Sequence, residues 1–253
     1  MHIAGVPALI TGAASGLGAA TARLLADHGA KVAVLDRDRA AGQRVAEEVE
    51  GVFIECDVSN AGSAERAIAG AIAEHGAPRI LVNCAGIGTA ARILGRDGPM
   101  PLEAFERVIR VNLIGTFNMM RLASAAMSAL DPTPSGERGV VISTASVAAY
   151  EGQIGQAAYA ASKGGIVSMT LPAARELARF GIRVMTIAPG LFETPLLAEL
   201  PDETKAGLAA AIPYPKRLGA PREFAELVVA IIGNPYLNGE VVRIDGGLRM
   251  QSK

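Results

Sequence analysis

Short apolar runs rich in β-branched residues recur along the chain, near positions 6 to 11, 31 to 35, 52 to 56, 79 to 83, 139 to 143, 182 to 188 and 240 to 244. Each reads as a buried strand. Ala-rich stretches with helical spacing fill the gaps, the longest from about 101 to 130 and from about 156 to 180. Strands alternating with helices predict an α/β fold, a doubly wound parallel sheet of about seven strands flanked by helices. Pro132-Thr-Pro-Ser-Gly-Glu137 reads as a surface loop, and Ile93 to Pro101 as a longer loop. No internal repeat or low-complexity tract interrupts the pattern.

Composition adds boundaries to that picture. The chain has 253 residues, half of them hydrophobic, enough for one domain over 1–253 to cover a sheet on both faces. A net charge of -1 with no basic block gives no reason to expect a nucleic-acid partner. The apolar runs fall far short of a membrane span. The first strand begins within about six residues, leaving no room for a signal peptide, so the expected location is the cytoplasm. Cys56 and Cys84 end different strands and read as free thiols in a reducing compartment, with no metal site. His2, His28 and His75 read as surface or helix-end residues.

The first strand runs into Gly12-Ala-Ala-Ser15-Gly16-Leu17-Gly18 and then a helical stretch. Strand, glycine turn and helix start form an anion cradle, because glycines admit a pyrophosphate to the backbone and the helix start offers free N–H groups. The spacing is Gly-x-x-x-Gly-x-Gly and not the commoner Gly-x-Gly-x-x-Gly. Asp36 ends the second strand about twenty residues on, where a carboxylate accepts ribose hydroxyls and repels a 2′-phosphate, which favours NAD over NADP. Arg37 beside it is a possible partner for a 2′-phosphate and complicates that choice. Asp36 is also a candidate N-cap for a helix over Arg37 to Val49.

Tyr159 and Lys163 are four residues apart in the Ala-rich run 156 to 180, so both leave one helix face. Using a phenol as a base near neutral pH means lowering its pKa by roughly 3 units, about 4 kcal/mol. A neighbouring ammonium at about 4 Å supplies roughly that at intermediate dielectric. Ser146 follows the apolar run 139 to 143 and places a hydroxyl just past a strand end, where it would hydrogen-bond a substrate oxygen.

In these residues the chain resembles the short-chain dehydrogenase/reductase family. The likeness rests on Thr11 to Gly18, Asn83-Cys84-Ala85-Gly86, Asn112, Ser146, Tyr159, Lys163 and Pro189-Gly190, and it covers essentially the whole chain. Residues 144 to 159 and 187 to 197 further resemble the type-2 3-hydroxyacyl-CoA dehydrogenases, NAD-dependent enzymes of short and branched acyl-CoA that also accept some hydroxysteroids. The resemblance implies a single-domain Rossmann fold that binds NAD. It implies that Tyr159 is the general acid/base, that Lys163 lowers its pKa and holds the nicotinamide ribose, that Ser146 orients substrate, and that Asn112 positions a water in the proton relay.

It also implies cofactor contacts from Gly12, Ser15, Gly16, Leu17, Gly18, Asp36, Asp57, Val58, Asn83, Cys84, Ala85 and Gly86. Pro189, Gly190, Phe192 and Thr194 would close over the nicotinamide. Cys84 departs from the Asn of the wider family but agrees with the type-2 group. A mobile substrate lid is implied over about 191 to 215, and a homotetramer built on the long helices. Gln153 and Gln156 flank the tyrosine helix as candidate hydrogen-bond donors to a thioester, with helix-start roles open to both. Arg92 and Arg96 are candidates for the nucleotide end of CoA. Gly246 and Gly247 read as a turn after the last strand.

The expected function is therefore NAD-dependent oxidation of a short (S)-3-hydroxyacyl-CoA. The alternatives are a hydroxysteroid or other lipophilic secondary alcohol as substrate, or a noncatalytic NAD-binding scaffold subunit.

Overall fold

The structure is a computed structural model that describes residues 1–88, 90–96, 98–194, 197 and 201–252. Seven parallel strands make the central sheet: β1 (Pro7–Thr11), β2 (Lys31–Asp36), β3 (Val52–Glu55), β4 (Ile80–Asn83), β5 (Gly139–Thr144), β6 (Ile182–Pro189) and β7 (Val241–Ile244). Their spatial order is β3-β2-β1-β4-β5-β6-β7. Each strand lies within a residue or so of its expected run. The order reverses between β1 and β4, which pair from Ala8 against Ile80 to Thr11 against Asn83. Ligands of such sheets bind in the crevice beyond the carboxyl ends of the strands at that reversal.

Alternation along the strands divides the core. Ala8, Ile10, Val32, Val34, Ile80, Val82, Val140 and Ile142 face one apolar layer, shared with helices α1 (Gly16–Asp27), α2 (Arg39–Glu48) and Phe224 to Ile232 of a later helix. Leu9, Ala33, Leu35, Leu81 and Val141 face the other, shared with α3 (Ala61–His75). Both faces are covered, so the strands read as continuous apolar runs.

The stretch expected as one helix from about 101 to 130 is broken in its middle. It consists of α4 (Leu102–Ile109), a π-helical turn at Arg110–Ile114, and α5 (Gly115–Ser128). The widened turn contains Asn112, and such turns are common at functional sites. The long helix α6 (Ala157–Leu177) follows β5, then come α7 (Asp202–Ala210) in the lid region and α8 (Pro221–Gly233). Residues 195, 196 and 198–200 of the expected lid lie outside the described residues.

Two local expectations are corrected. Asp36 does not cap the second helix; Asp38 does, its Oδ1 accepting from Ala41 N–H at 3.0 Å, and the helix starts at Arg39. Asp36 instead accepts from Ala14 and Asp38 N–H at 2.9 and 3.0 Å, which ties the glycine turn to the end of β2. The loop 132–137 is not all surface, because Glu137 is buried against Arg183 of β6 at 2.7 Å. That guanidinium also donates to the carbonyls of Ile231, Ile232 and Leu237, fixing the end of α8 to the sheet.

Candidate active site

Two neighbouring clefts beyond the strand ends share part of their walls. One, about 540 Å³, is walled by Gly12, Ser15, Gly16, Leu17, Gly18, Asp36, Asp57, Val58, Cys84, Ala85, Gly86 and Thr194. The other, about 600 Å³, holds Ser146, Gln156, Tyr159, Lys163, Pro189, Gly190 and Phe192. Leu17, Cys84, Gly86 and Thr194 belong to both walls. Asn83 and Asn112, expected at the cofactor and in the proton relay, line neither.

The first cleft fits a dinucleotide. Gly12 has φ +65°, and a Cβ there would sit 2.6 Å from the Ala85 nitrogen, so glycine lets the β1 and β4 turns close on each other. A Cβ on Gly18 would collide with the Gly12 carbonyl. Ser15 is the N-cap of α1 but makes no side-chain cap hydrogen bond, which leaves the first N–H groups of the helix to an anion. Asp36 uses one acceptor site on each oxygen for the backbone and keeps others for hydroxyl donors. Asp57 is braced by the Ser59 hydroxyl at 2.7 Å and faces Arg37 at 3.9 Å.

In the second cleft, Ser146 caps a short 3-10 turn over Val147–Ala149, its Oγ accepting from Ala148 N–H at 3.1 Å. The Lys163 ammonium is buried, donates to the Thr144 carbonyl at 2.7 Å and stands 5.7 Å from the centre of the Tyr159 ring. Burial penalises its charge and pulls its pKa down to about 8. Burial also pushes the Tyr159 phenol above its ordinary value, against a smaller lowering by the neighbouring Ser146 hydroxyl. The Lys163 ammonium donates its hydrogen bond to the Thr144 carbonyl, and burial outweighs the influences that lower the phenol. Cys84 accepts a hydrogen bond from the Thr144 hydroxyl at 3.6 Å, and burial holds its thiol up at about 11; Cys56 is pushed up to about 12 by burial and by Asp57 and Asp36. Both are free thiols, and no cluster of metal ligands occurs among the described residues.

Asn112 is fully buried, and its amide makes three hydrogen bonds within the protein. Its Oδ1 accepts from Ile87 N–H at 2.8 Å, while Nδ2 donates to the Ile87 carbonyl at 3.0 Å and to the Ser162 hydroxyl at 3.0 Å. It braces the β4 turn against α6 from behind the wall. Asn83 is buried on β4, with Nδ2 3.5 Å from the Ser143 hydroxyl and Oδ1 without a partner. The Phe192 ring is buried edge-on to Phe224 at 6.5 Å, and its backbone bridges to Gly219. Gln156 pairs with Gln153, accepting from its N–H at 3.0 Å. Arg92 and Arg96 are exposed outside the cavity. His2 and His28 are exposed, and His75 Nε2 lies 3.2 Å from the Val32 carbonyl.

Residues 7–205 match the family model described as short chain dehydrogenase. The chain belongs to the short-chain dehydrogenase family. Among its members, this chain is 52% identical to a 3-hydroxyacyl-CoA dehydrogenase type-2 of Homo sapiens, over 98% of this chain and 97% of that one. It is 51% identical to the protein of the same name from Drosophila melanogaster, over 96% of each chain. A crystal structure of 3-hydroxyacyl-CoA dehydrogenase type-2 from Mycobacterium avium superposes with TM-score 0.92 at 42% identity, covering 98% of both chains.

One part of this short-chain dehydrogenase site escaped the sequence reading. Met250, beyond the last strand, lines the cavity that holds Tyr159. The run after Gly246 and Gly247 carries no motif, and only the fold brings it there.

Proposed function

We propose that the protein is an NAD-dependent dehydrogenase of short-chain, including branched, (S)-3-hydroxyacyl-CoA, moving a hydride between nicotinamide and the 3-hydroxy/3-keto carbon. The observation that carries this reading is that the cleft at the glycine turn and Asp36 shares a wall with the cavity holding Ser146, Tyr159 and Lys163, in a chain about half identical to proteins of that name. NAD over NADP rests on Asp36 at the end of β2, and on Arg37 being drawn toward Asp57 and not standing alone.

When bound, the nicotinamide supplies the hydride acceptor and, oxidised, a positive charge. Tyr159 takes the proton of the substrate hydroxyl and returns it in the reverse direction, and Ser146 holds the substrate oxygen by a hydrogen bond. Lys163 holds the ribose hydroxyls and keeps a readily titrated proton behind the phenol. Gln156 offers an amide to the thioester. Exposed Phe117 and Leu171, on α5 and α6, support assembly through those helices as a homotetramer. No helix among the described residues is long and apolar enough to cross a membrane, and a cytoplasmic site of action is part of the proposal.

The test is NADH formation with 3-hydroxybutyryl-CoA and, in parallel, a 17β-hydroxysteroid, each also with NADP. Fast thioester oxidation with NAD is expected. Steroid turnover alone would move the substrate to a lipophilic alcohol, and tight NAD binding without turnover of either would favour a scaffold subunit.

A further inference from the structure

Met250 shares a cavity wall with Tyr159, and two sets of contacts hold it there. On the apolar side it packs with Leu191, Leu197 and Leu208 against a small cluster of Ile212, Leu218 and Leu248. On the polar side its N–H donates to Glu151 Oε2 at 3.2 Å. Gln153 Nε2 donates to the Gln251 carbonyl at 3.2 Å, and Ile154 N–H to the Ser252 carbonyl at 3.1 Å. Residues 151–156 lead directly into α6, which carries Tyr159 and Lys163. The segment 248–252 therefore spans from the lid side of the cavity to the entry of the catalytic helix.

Glu151 is the hub of this arrangement. Arg243 meets it in a two-pronged pair at 2.8 and 3.1 Å, and Arg249 at 3.4 Å. Asp245 takes the same two guanidinium groups at 2.7 and 3.2 Å. Glu151 and Arg243 are each 22% exposed, so this forked pair within a network is held more firmly than a solitary surface pair.

We propose that residues 248–252 gauge the length of the substrate's apolar arm: the Met250 side chain narrows the apolar part of the cavity, and Glu151 positions it by holding its N–H. A thioether on an unbranched stem yields to short linear or branched arms and fills the space a longer arm needs. The inference rests on the acyl-CoA reading only for the identity of the substrate; the wall acts on any secondary alcohol whose arm enters.

The experiment compares kcat/KM for C4 and C8 3-hydroxyacyl-CoA, and for 2-butanol and 2-octanol, in wild type, Met250→Ala, Met250→Phe and Glu151→Gln. Pockets resolve one methylene by roughly 10–200-fold, and Met250→Ala vacates about three such groups. The C8 to C4 ratio is expected to rise at least ~10-fold in Met250→Ala and to fall in Met250→Phe. Glu151→Gln is expected to raise it in the same direction as Met250→Ala, which general loss of structure would not do. Ratios within about twofold of wild type in both Met250 variants would overturn the gauge. A moved ratio in Met250→Ala with none in Glu151→Gln would overturn the positioning role. Turnover of the alcohols without the thioesters would defeat the substrate reading, while the alcohol ratio still decides the gauge.

Discussion

The Lys163 ammonium lies 5.7 Å from the centre of the Tyr159 ring and points past it to the Thr144 carbonyl. Its hydrogen bond goes to that backbone oxygen, and burial holds the phenol above its ordinary value. In the protein without cofactor, the tyrosine signal lost in Tyr159→Phe is expected to titrate above pH ~10 in an ultraviolet difference titration. Saturation with oxidised NAD is expected to lower it, since a positive charge then enters the same cavity. A phenol titrating near neutral pH without cofactor would contradict the geometry.

Lys163 carries a measurable linkage. Its folded pKa, about 8, lies below the ordinary 10.5, so between those values the unfolded chain binds more protons and stability rises with pH. The full shift corresponds to about 3 kcal/mol against the folded state at neutral pH. The Tm of Lys163→Met minus that of wild type is expected to decrease as pH rises from 7 toward 10. A difference that does not change with pH would show that Lys163 is not held in this desolvated state.

Asp36 holds the glycine turn and, in the proposed function, also meets the cofactor ribose. Asp36→Ala removes acceptors from two backbone N–H groups, at a cost of about 1–3 kcal/mol, and a carboxylate from the ribose position. Calorimetric titration is expected to show NAD affinity falling more than NADP affinity, alongside a lowered Tm. Unchanged NAD affinity would remove the reason for the cofactor preference.

Gly12→Ala places a Cβ within 2.6 Å of the Ala85 nitrogen at a residue with φ +65°. The left-handed backbone alone costs roughly 1–2 kcal/mol, and the collision adds to it. Denaturant unfolding is expected to show at least about 2 kcal/mol lost, with NAD binding weakened in the protein that remains folded. A variant as stable as wild type would mean the β1 and β4 turns do not close as described.

The seven strands were readable because burial on both faces makes each one a continuous apolar run, as in Val140 to Ile142. Among the residues lining the clefts, the glycines, Asp36, Ser146, Tyr159 and Lys163 were readable from residue type and spacing, whereas Asp57, Val58, Cys84, Phe192 and Thr194 came only from the family resemblance. Other features depend on contacts that no local pattern records. Asp36 and Asp38 are equally good caps by type, and only the path of the chain puts Asp38 before the first turn. The amide of Asn112 bonds to Ile87 and Ser162, partners that only folding brings near. Glu151 meets Arg243 and Met250 across most of a hundred positions, beyond the reach of any periodicity.

The central claim is that Tyr159 transfers the proton in NAD-dependent oxidation of a short 3-hydroxyacyl-CoA. Absorbance of NADH, followed with purified wild type and Tyr159→Phe on 3-hydroxybutyryl-CoA, tests it most directly. Wild type is expected to turn over, and the variant to bind NAD with kcat lower by about 10²–10⁴. Near-normal turnover in a folded, NAD-binding Tyr159→Phe would contradict the account.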